Sequence, residues 1–338
     1  MWGECSSGGG RAVSDAIRVE GGFRVDDGWR FDQIVAPNGY LWWYVDALSA
    51  DGTHGLTIIL FVGSVFSPYY KWRRRYGPVQ AENHCAVNVV LFGAGGKRWS
   101  MTERGASSLR RSADRYCLGA SHAQLEAGRL TIVVDEIGVP FPHRIKGKII
   151  VSFDALQTTA FHLDSHHKHV WRPLAPRAHI QVAFDSPRQS WEGEAYVDSN
   201  WGAEPVESGF LGWQWSRASR NEETCVFYDV VERPGTKRGI AAAFDRKGGV
   251  RPLPAAPQHD AGKTLWRVER PYRSEGLHSG VIKTVEDTPF YARSLLRQTI
   301  EGQDCTAIHE SLDVTRYERP IVQAMLPWRM PRRDLAPR

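Results

Sequence analysis

Apolar residues in this chain recur at every second position or in short runs, and turn residues separate the blocks almost throughout. Successive side chains of a strand point to opposite faces, so the pattern predicts sheet and excludes a helical bundle. Strands are predicted over residues 40–45, 56–65, 86–92, 129–134, 146–153, 179–184, 194–198, 213–215, 224–231, 239–244, 264–270 and 294–300. Their turns are explicit in Pro37-Asn38-Gly39, Asp51-Gly52, Gly93-Ala94-Gly95-Gly96 and Lys247-Gly248-Gly249. No long-period repeat is present, which argues against a propeller. Alternation sustained over 338 residues predicts an all-β chain whose antiparallel sheets close into two tandem β-barrels. A junction near residues 204–212 divides the chain into a flexible start (1–20), a first barrel (21–205), a second barrel (206–328) and a basic tail (329–338).

With 13 Trp, 11 Tyr and 13 Phe the chain can fill a large core. The formal charge, 43 − 38 = +5, comes from scattered arginines without a helix-turn-helix or RNP-like pattern, so no nucleic-acid partner is expected. Five cysteines lie far apart with no CxxC pair, which points to a reduced, cytoplasmic chain. Residues 1–15 lack the apolar core of a signal peptide. The longest apolar run, residues 56–66, falls short of the roughly 20 residues a spanning helix needs. Phosphate-loop, nucleophile-elbow and HExxH signatures are absent, and Gly93 to Gly96 lacks the dinucleotide spacing and reads as a hairpin turn. No cofactor and no resident metal are expected.

Two segments carry chemistry. His162, His166, His167 and His169 cluster just before Trp171. Such a cluster reads either as metal ligands or as a polar loop entering a strand, and no carboxylate–histidine spacing of a metalloenzyme accompanies it. If the segment is extended, His167, His169 and Trp171 share a face. The second segment is Tyr196-Val-Asp198-Ser-Asn200-Trp201, where Tyr196, Asp198 and Asn200 share one face and Val197 takes the other. An acid beside a tyrosine suggests a lined pocket; a turn-capping Asp198 among core tryptophans is the alternative.

These residues, with Leu41-Trp42-Trp43-Tyr44-Val-Asp46, residues 55–70 and Trp213-Gln-Trp215-Ser-Arg217, resemble the carotenoid 1,2-hydratases of photosynthetic bacteria. The likeness runs from about Gly21 to about Trp328. It implies a lipocalin-like fold of two barrels and a cofactor-free addition of water to the terminal double bond of acyclic carotenes such as neurosporene and lycopene. It also places the family's acid on Asp198, its tyrosine on Tyr196 and its His-x-Trp pair on His169 and Trp171. Distant relatives have a histidine where Ser199 stands and Glu-Trp-Trp-Tyr-Phe in place of residues 41–45. Some relatives on this scaffold cyclise, so a cyclase and an isoprenoid carrier without catalysis stay open beside the hydratase.

Hydrating an unactivated alkene starts with protonation by a positioned acid, and Asp198 suits that step if burial keeps it neutral. Trp171 and Tyr196 are expected to face the resulting cation. His169 is expected to orient water and take its proton, while His167 reads first as a solvent-facing or structural residue and only second as its assistant. Trp42, Trp43, Tyr44, Trp201, Trp213 and Trp215 are expected to line the apolar tunnel of a barrel. Carotenes reside in bilayers, so Lys71-Trp72-Arg73-Arg74-Arg75-Tyr76 and Arg329, Arg332 and Arg333 are candidates for peripheral contact with anionic lipid.

Overall fold

The computed structural model describes residues 22–25, 28–94 and 96–333; the expected start (1–20), Cys5 and residues 334–338 of the expected tail lie outside them. The first sheet comprises β1 (Gly22–Arg24), β2 (Tyr40–Ser49), β3 (His54–Val62), β4 (Cys85–Gly93), β5 (Arg98–Arg104), β6 (Leu109–Arg111), β7 (Arg115–Leu118), β8 (Ser121–Glu126), β9 (Arg129–Ile137), β10 (Arg144–Ser152), β11 (Thr159–His162), β12 (His169–Ser186) and β13 (Arg188–Gly202). Its spatial order is β5-β4-β3-β2-β13-β12-β10-β9-β8-β7-β6, with β11 joining β1 to β12. The second sheet comprises β14 (Phe210–Arg220), β15 (Glu223–Glu232), β16 (Lys237–Asp245), β17 (Val250–Pro252), β20 (Gly280–Asp287), β21 (Tyr291–Ile300) and β22 (Gln303–Asp313). The hairpin β18 (Gln258–Asp260) and β19 (Pro271–Arg273) lies against it. Short helices α1 (Pro68–Arg73), α2 (Val206–Gly209) and α3 (Val314–Tyr317) are joined by a longer one, α4 (Pro320–Arg329).

Alternation sets the layers. Along β9, Leu130, Ile132 and Val134 are buried while their neighbours are half-exposed, and β10 repeats this with Ile145, Ile149 and Val151. These residues fill the interior of the first sheet, which curls until Trp99 of β5 accepts the backbone N–H of Val139, just beyond β9, at 3.0 Å. Arg104 of β5 also reaches Glu136 of β9 at 2.8 Å, so the barrel is nearly closed. The outer edge of β5 is covered by the chain end: the Glu103 N–H donates to the Pro331 carbonyl, and the Glu103 carbonyl accepts from the Arg333 N–H, each at 2.9 Å. The segment 331–333 of the expected basic tail is thus held against the barrel.

Strands β2, β3 and β4, and β13 from Ala195 onward, are buried on both faces, which is why β2, β3 and β4 read as nearly continuous apolar runs. Leu41, Trp43, Val45 and Val197 face the barrel interior. Tyr40, Trp42, Tyr44 and Tyr196 face outward onto the second sheet, meeting Trp213, Trp215, Val226 and Ile308 in a second core. The second sheet ends in edge strands β17 and β20, and its far face packs Cys225, Phe227 and Ala243 under Leu253 and Ala256. Polar bonds tie the two sheets: Arg217 of β14 pairs with Asp46 of β2, and Tyr44 donates to Glu310 of β22 at 2.7 Å.

Gly93 sits at φ 127, and a Cβ there would lie 2.1 Å from the Thr53 carbonyl, so the expected turn after β4 requires glycine. Residues 264–270, predicted as a strand, form a turn. Val268 donates its N–H to the Thr264 hydroxyl at 3.2 Å, Thr264 N–H donates to the Val268 carbonyl at 3.1 Å, and Arg267 takes φ 62. The segment therefore leaves the ladder, burying only its Thr264, Val268 and Arg270 positions.

Candidate active site

A cavity of about 670 Å³ lies between the outer face of the barrel and the inner face of the second sheet. That volume suits a sizeable apolar ligand. The expectation of a tunnel inside a barrel is corrected by this placement: aliphatic side chains fill the barrel, and the two-sided strands carry the site on their other face.

Asp198, in the middle of β13, lines the cavity and is 4% exposed. It pairs in register with Tyr44 on β2 and Pro173 on β12, so its side chain joins the outward row of Tyr196 and Asn200. The Trp171 indole N–H and the Tyr196 hydroxyl both donate to Oδ2, each at 2.9 Å. Neither ring lines the cavity, and Oδ1 carries neither of these two bonds. Asn200 Nδ2 lies 3.3 Å from Oδ1, and its own Oδ1 is buried without a partner. Turning that amide over presents an acceptor to a protonated Asp198.

Burial pushes the Asp198 carboxyl up to about 8, outweighing the two donors, which favour the charged form; Glu310 and Asp46 nearby reinforce the rise. The acid is therefore mainly neutral at pH 7. Around it the cavity wall is aromatic, with Trp42, Tyr44, Trp213, Trp215 and Tyr228. The Trp215 ring lies 5.2 Å from Tyr196 and 5.6 Å from Tyr44. Three further acids line the wall, Glu286, Asp287 and Glu310, and Glu310 is held at Oε1 by Tyr44 and by Arg293 at 2.6 Å.

Several expected site residues sit elsewhere. Trp43 packs inside the barrel 4.8 Å from Phe31, and Trp201 also packs on that interior core. Period two forces this, because Trp42 and Tyr44 take the opposite face. Trp171 and Tyr196 hold the acid from behind instead of facing the cavity. His169 is also behind the wall: its Nδ1 is 2.9 Å from the Tyr40 hydroxyl, and Tyr40 stacks on Trp42 at 4.9 Å. Its Nε2 is buried 3.6 Å from Glu204 Oε1, beyond hydrogen-bond distance, and a Cβ on Gly209 would come within 2.5 Å of it. Burial lowers its basicity below that of an ordinary imidazole. His167 does not share its face. It occupies an exposed turn at φ 58 and stacks on His162 at 4.0 Å, while Asp164 accepts the backbone N–H groups of His166, Lys168 and His169. No group of three or more metal-ligating side chains occurs among the described residues.

Of the basic segments, Lys71 and Arg74 are tied to Glu207 at 3.0 and 2.7 Å, and Arg332 to Glu103, so these cations serve the fold. Arg329 lies over the Trp99 ring at 4.4 Å and lines the cavity. Tyr228, Glu310 and Arg293 are among the wall residues that had no place in the site expected from the sequence. The alternation Ile308, Glu310, Leu312 is a partial signal, one acid between two apolar residues, blurred by Asp304 and Thr306 on the same face.

The family described as carotenoid hydratase CrtC matches residues 58–337. The acyclic carotenoid 1,2-hydratase of Thiocapsa roseopersicina is 46% identical over 98% of this chain and 82% of its own length. That of Rubrivivax gelatinosus is 48% identical over 90% of this chain and 76% of its own. Among solved structures, a putative AttH from Nitrosomonas europaea superposes with a TM-score of 0.55 at 14% identity, over 81% of this chain and 92% of that one. CghA with Sch210972 does so with a TM-score of 0.55 at 11% identity, over 87% and 98%. The two superpositions show a shared fold.

Proposed function

Because this chain belongs to the carotenoid hydratase CrtC family, we propose that it adds water across the terminal 1,2 double bond of acyclic carotenes, with Asp198 as the proton donor. The protein is a hydratase whose substrates are a carotenoid and water. What supports the assignment to Asp198 is one observation: a carboxyl group 4% exposed in the wall of an aromatic cavity, where burial pushes it up to about 8.

In the proposed step the Asp198 Oδ1–H bond breaks and a C–H bond forms at the less substituted alkene carbon, leaving a tertiary cation. The faces of Trp42, Trp213, Trp215 and Tyr228 surround it, at roughly 0.5–2 kcal/mol per well-placed ring. Water bonds to the cation, and its released proton returns to the Asp198 carboxylate, giving a tertiary alcohol and the starting acid. Trp171 and Tyr196 hold the acid through Oδ2 throughout. His169 positions Tyr40 and, through it, the Trp42 wall; this replaces the base role expected for it. Nothing in the cycle consumes a cofactor.

A bilayer-resident substrate favours peripheral contact with the membrane, and we place the protein on the cytoplasmic side. No helix among the described residues is long and apolar enough to cross a membrane. The test is incubation with lycopene or neurosporene in detergent. A product heavier by one water supports the reading. Binding without a mass change identifies a carrier, and an isomer of unchanged mass a cyclase; either outcome overturns it.

A further inference from the structure

Helix α4 carries its apolar residues on two faces. Val322 and Leu326 are buried, while Ile321, Met325 and Trp328 are 68%, 38% and 74% exposed. Positions i, i+4 and i+7 form one stripe of a helix, so the exposed three are a continuous apolar strip turned away from the core. An exposed strip of this kind marks a contact surface. Met325 also lines the cavity, as do Phe141 and Trp266, which are 71% and 46% exposed and so mark where it opens. Leu265, beside Trp266, is 97% exposed. Cations outnumber acids on this side: Lys97, Arg98 and Arg329 line the cavity with Glu286 and Asp287, Lys97 lying 3.4 Å from Glu286, and Arg267 is exposed next to Trp266.

We propose that the α4 strip and the turn at residues 264–267 form the surface that docks on an anionic lipid bilayer, so that the cavity opens directly into the acyl chains. The proposal rests on the reading that the substrate is a bilayer hydrocarbon, and it adds the docking surface. The occupant follows from the coincidence of the strip with the opening. A protein seated there would cover the mouth, whereas a bilayer is continuous with the cavity's contents and offers headgroups to Lys97, Arg98 and Arg267. Trp328 and Trp266, apolar with one N–H each, suit the interfacial depth.

The test uses the full chain and a Leu265→Ser/Trp328→Ser double variant, neither residue being part of the cavity wall. Sedimentation with carotenoid-free vesicles of phosphatidylcholine, with and without phosphatidylglycerol, reads docking alone. Wild type is expected to sediment with the vesicles, more strongly with phosphatidylglycerol, and the double variant to bind at least about tenfold more weakly. Turnover of detergent-dispersed carotene should match wild type, while turnover of vesicle-embedded carotene falls. Wild type that ignores both vesicle types, or a double variant that binds as wild type does, overturns the proposal. Absent turnover in detergent by wild type would count against the hydratase reading alone, because the vesicle measurement contains no substrate.

Discussion

The indole N–H of Trp171 donates to Oδ2 of Asp198 across 2.9 Å, yet the Trp171 ring is outside the cavity that Asp198 lines. The bond favours the charged carboxylate, and burial overrides it to leave the group near 8. Replacing Trp171 by Phe removes a donor to the anion, so the carboxyl stays neutral to higher pH. The alkaline fall of kcat/KM, expected around pH 8 in wild type, should move up by about one unit, the equivalent of a hydrogen bond worth about 1 kcal/mol. A limb that stays put or moves down contradicts this account of the acid's environment.

The same shift makes stability depend on pH. A folded carboxyl near 8, against an ordinary value of 3.8, holds its proton where the unfolded chain has lost it. Stability from this group is therefore full below the unfolded value and is lost as pH rises toward 8, at no more than about 1.4 kcal/mol per unit. An Asp198→Asn variant lacks this titration. Thermal melts should show its Tm gaining on wild type between pH 5 and pH 8; a constant difference would falsify the raised value.

His169 separates positioning from base catalysis. With Nδ1 on Tyr40 and both nitrogens behind the wall, His169→Asn should slow turnover by about tenfold through a displaced Trp42, leaving the shape of the pH profile intact. A general base would cost about 10²–10⁴-fold and take an acid limb of the profile with it. The pH dependence of kcat for the variant decides between them.

Arg217 and Asp46 join the two sheets as a buried pair whose side chains are 5% and 0% exposed. Removing one partner strands the other's charge in the core, so Arg217→Met and Asp46→Asn should each lose about 3–5 kcal/mol in urea unfolding. The double variant should lose less than the sum. Strictly additive losses would show that the two groups do not act as a pair.

The sheet character of the chain is legible because alternation and turn glycines are local signals, and the same alternation places Tyr196, Asp198 and Asn200 on one face. Which face of a two-sided strand meets the cavity is a long-range fact. Residues 41–44 read as one aromatic block, and only the second sheet, beginning at Phe210, decides that Trp42 and Tyr44 line the site while Trp43 fills the barrel. His167 faces solvent and does not share a face with His169, for a local reason: Asp164 gathers the following backbone N–H groups into a turn, so extended chain starts only at His169. Glu310 went unread because its strand, Gln303–Asp313, mixes polar residues on one face with an acid on the other.

The central claim, that one neutral carboxyl hands its proton to a hydrocarbon, is tested most directly by turnover of detergent-dispersed lycopene by Asp198→Asn, with binding and melting measured alongside. The amide keeps the shape and the hydrogen-bonding partners but has no acidic proton, so product formation should fall by at least about 10²-fold while carotene binding and fold persist. Hydration at the wild-type rate by a folded Asp198→Asn variant would contradict the mechanism.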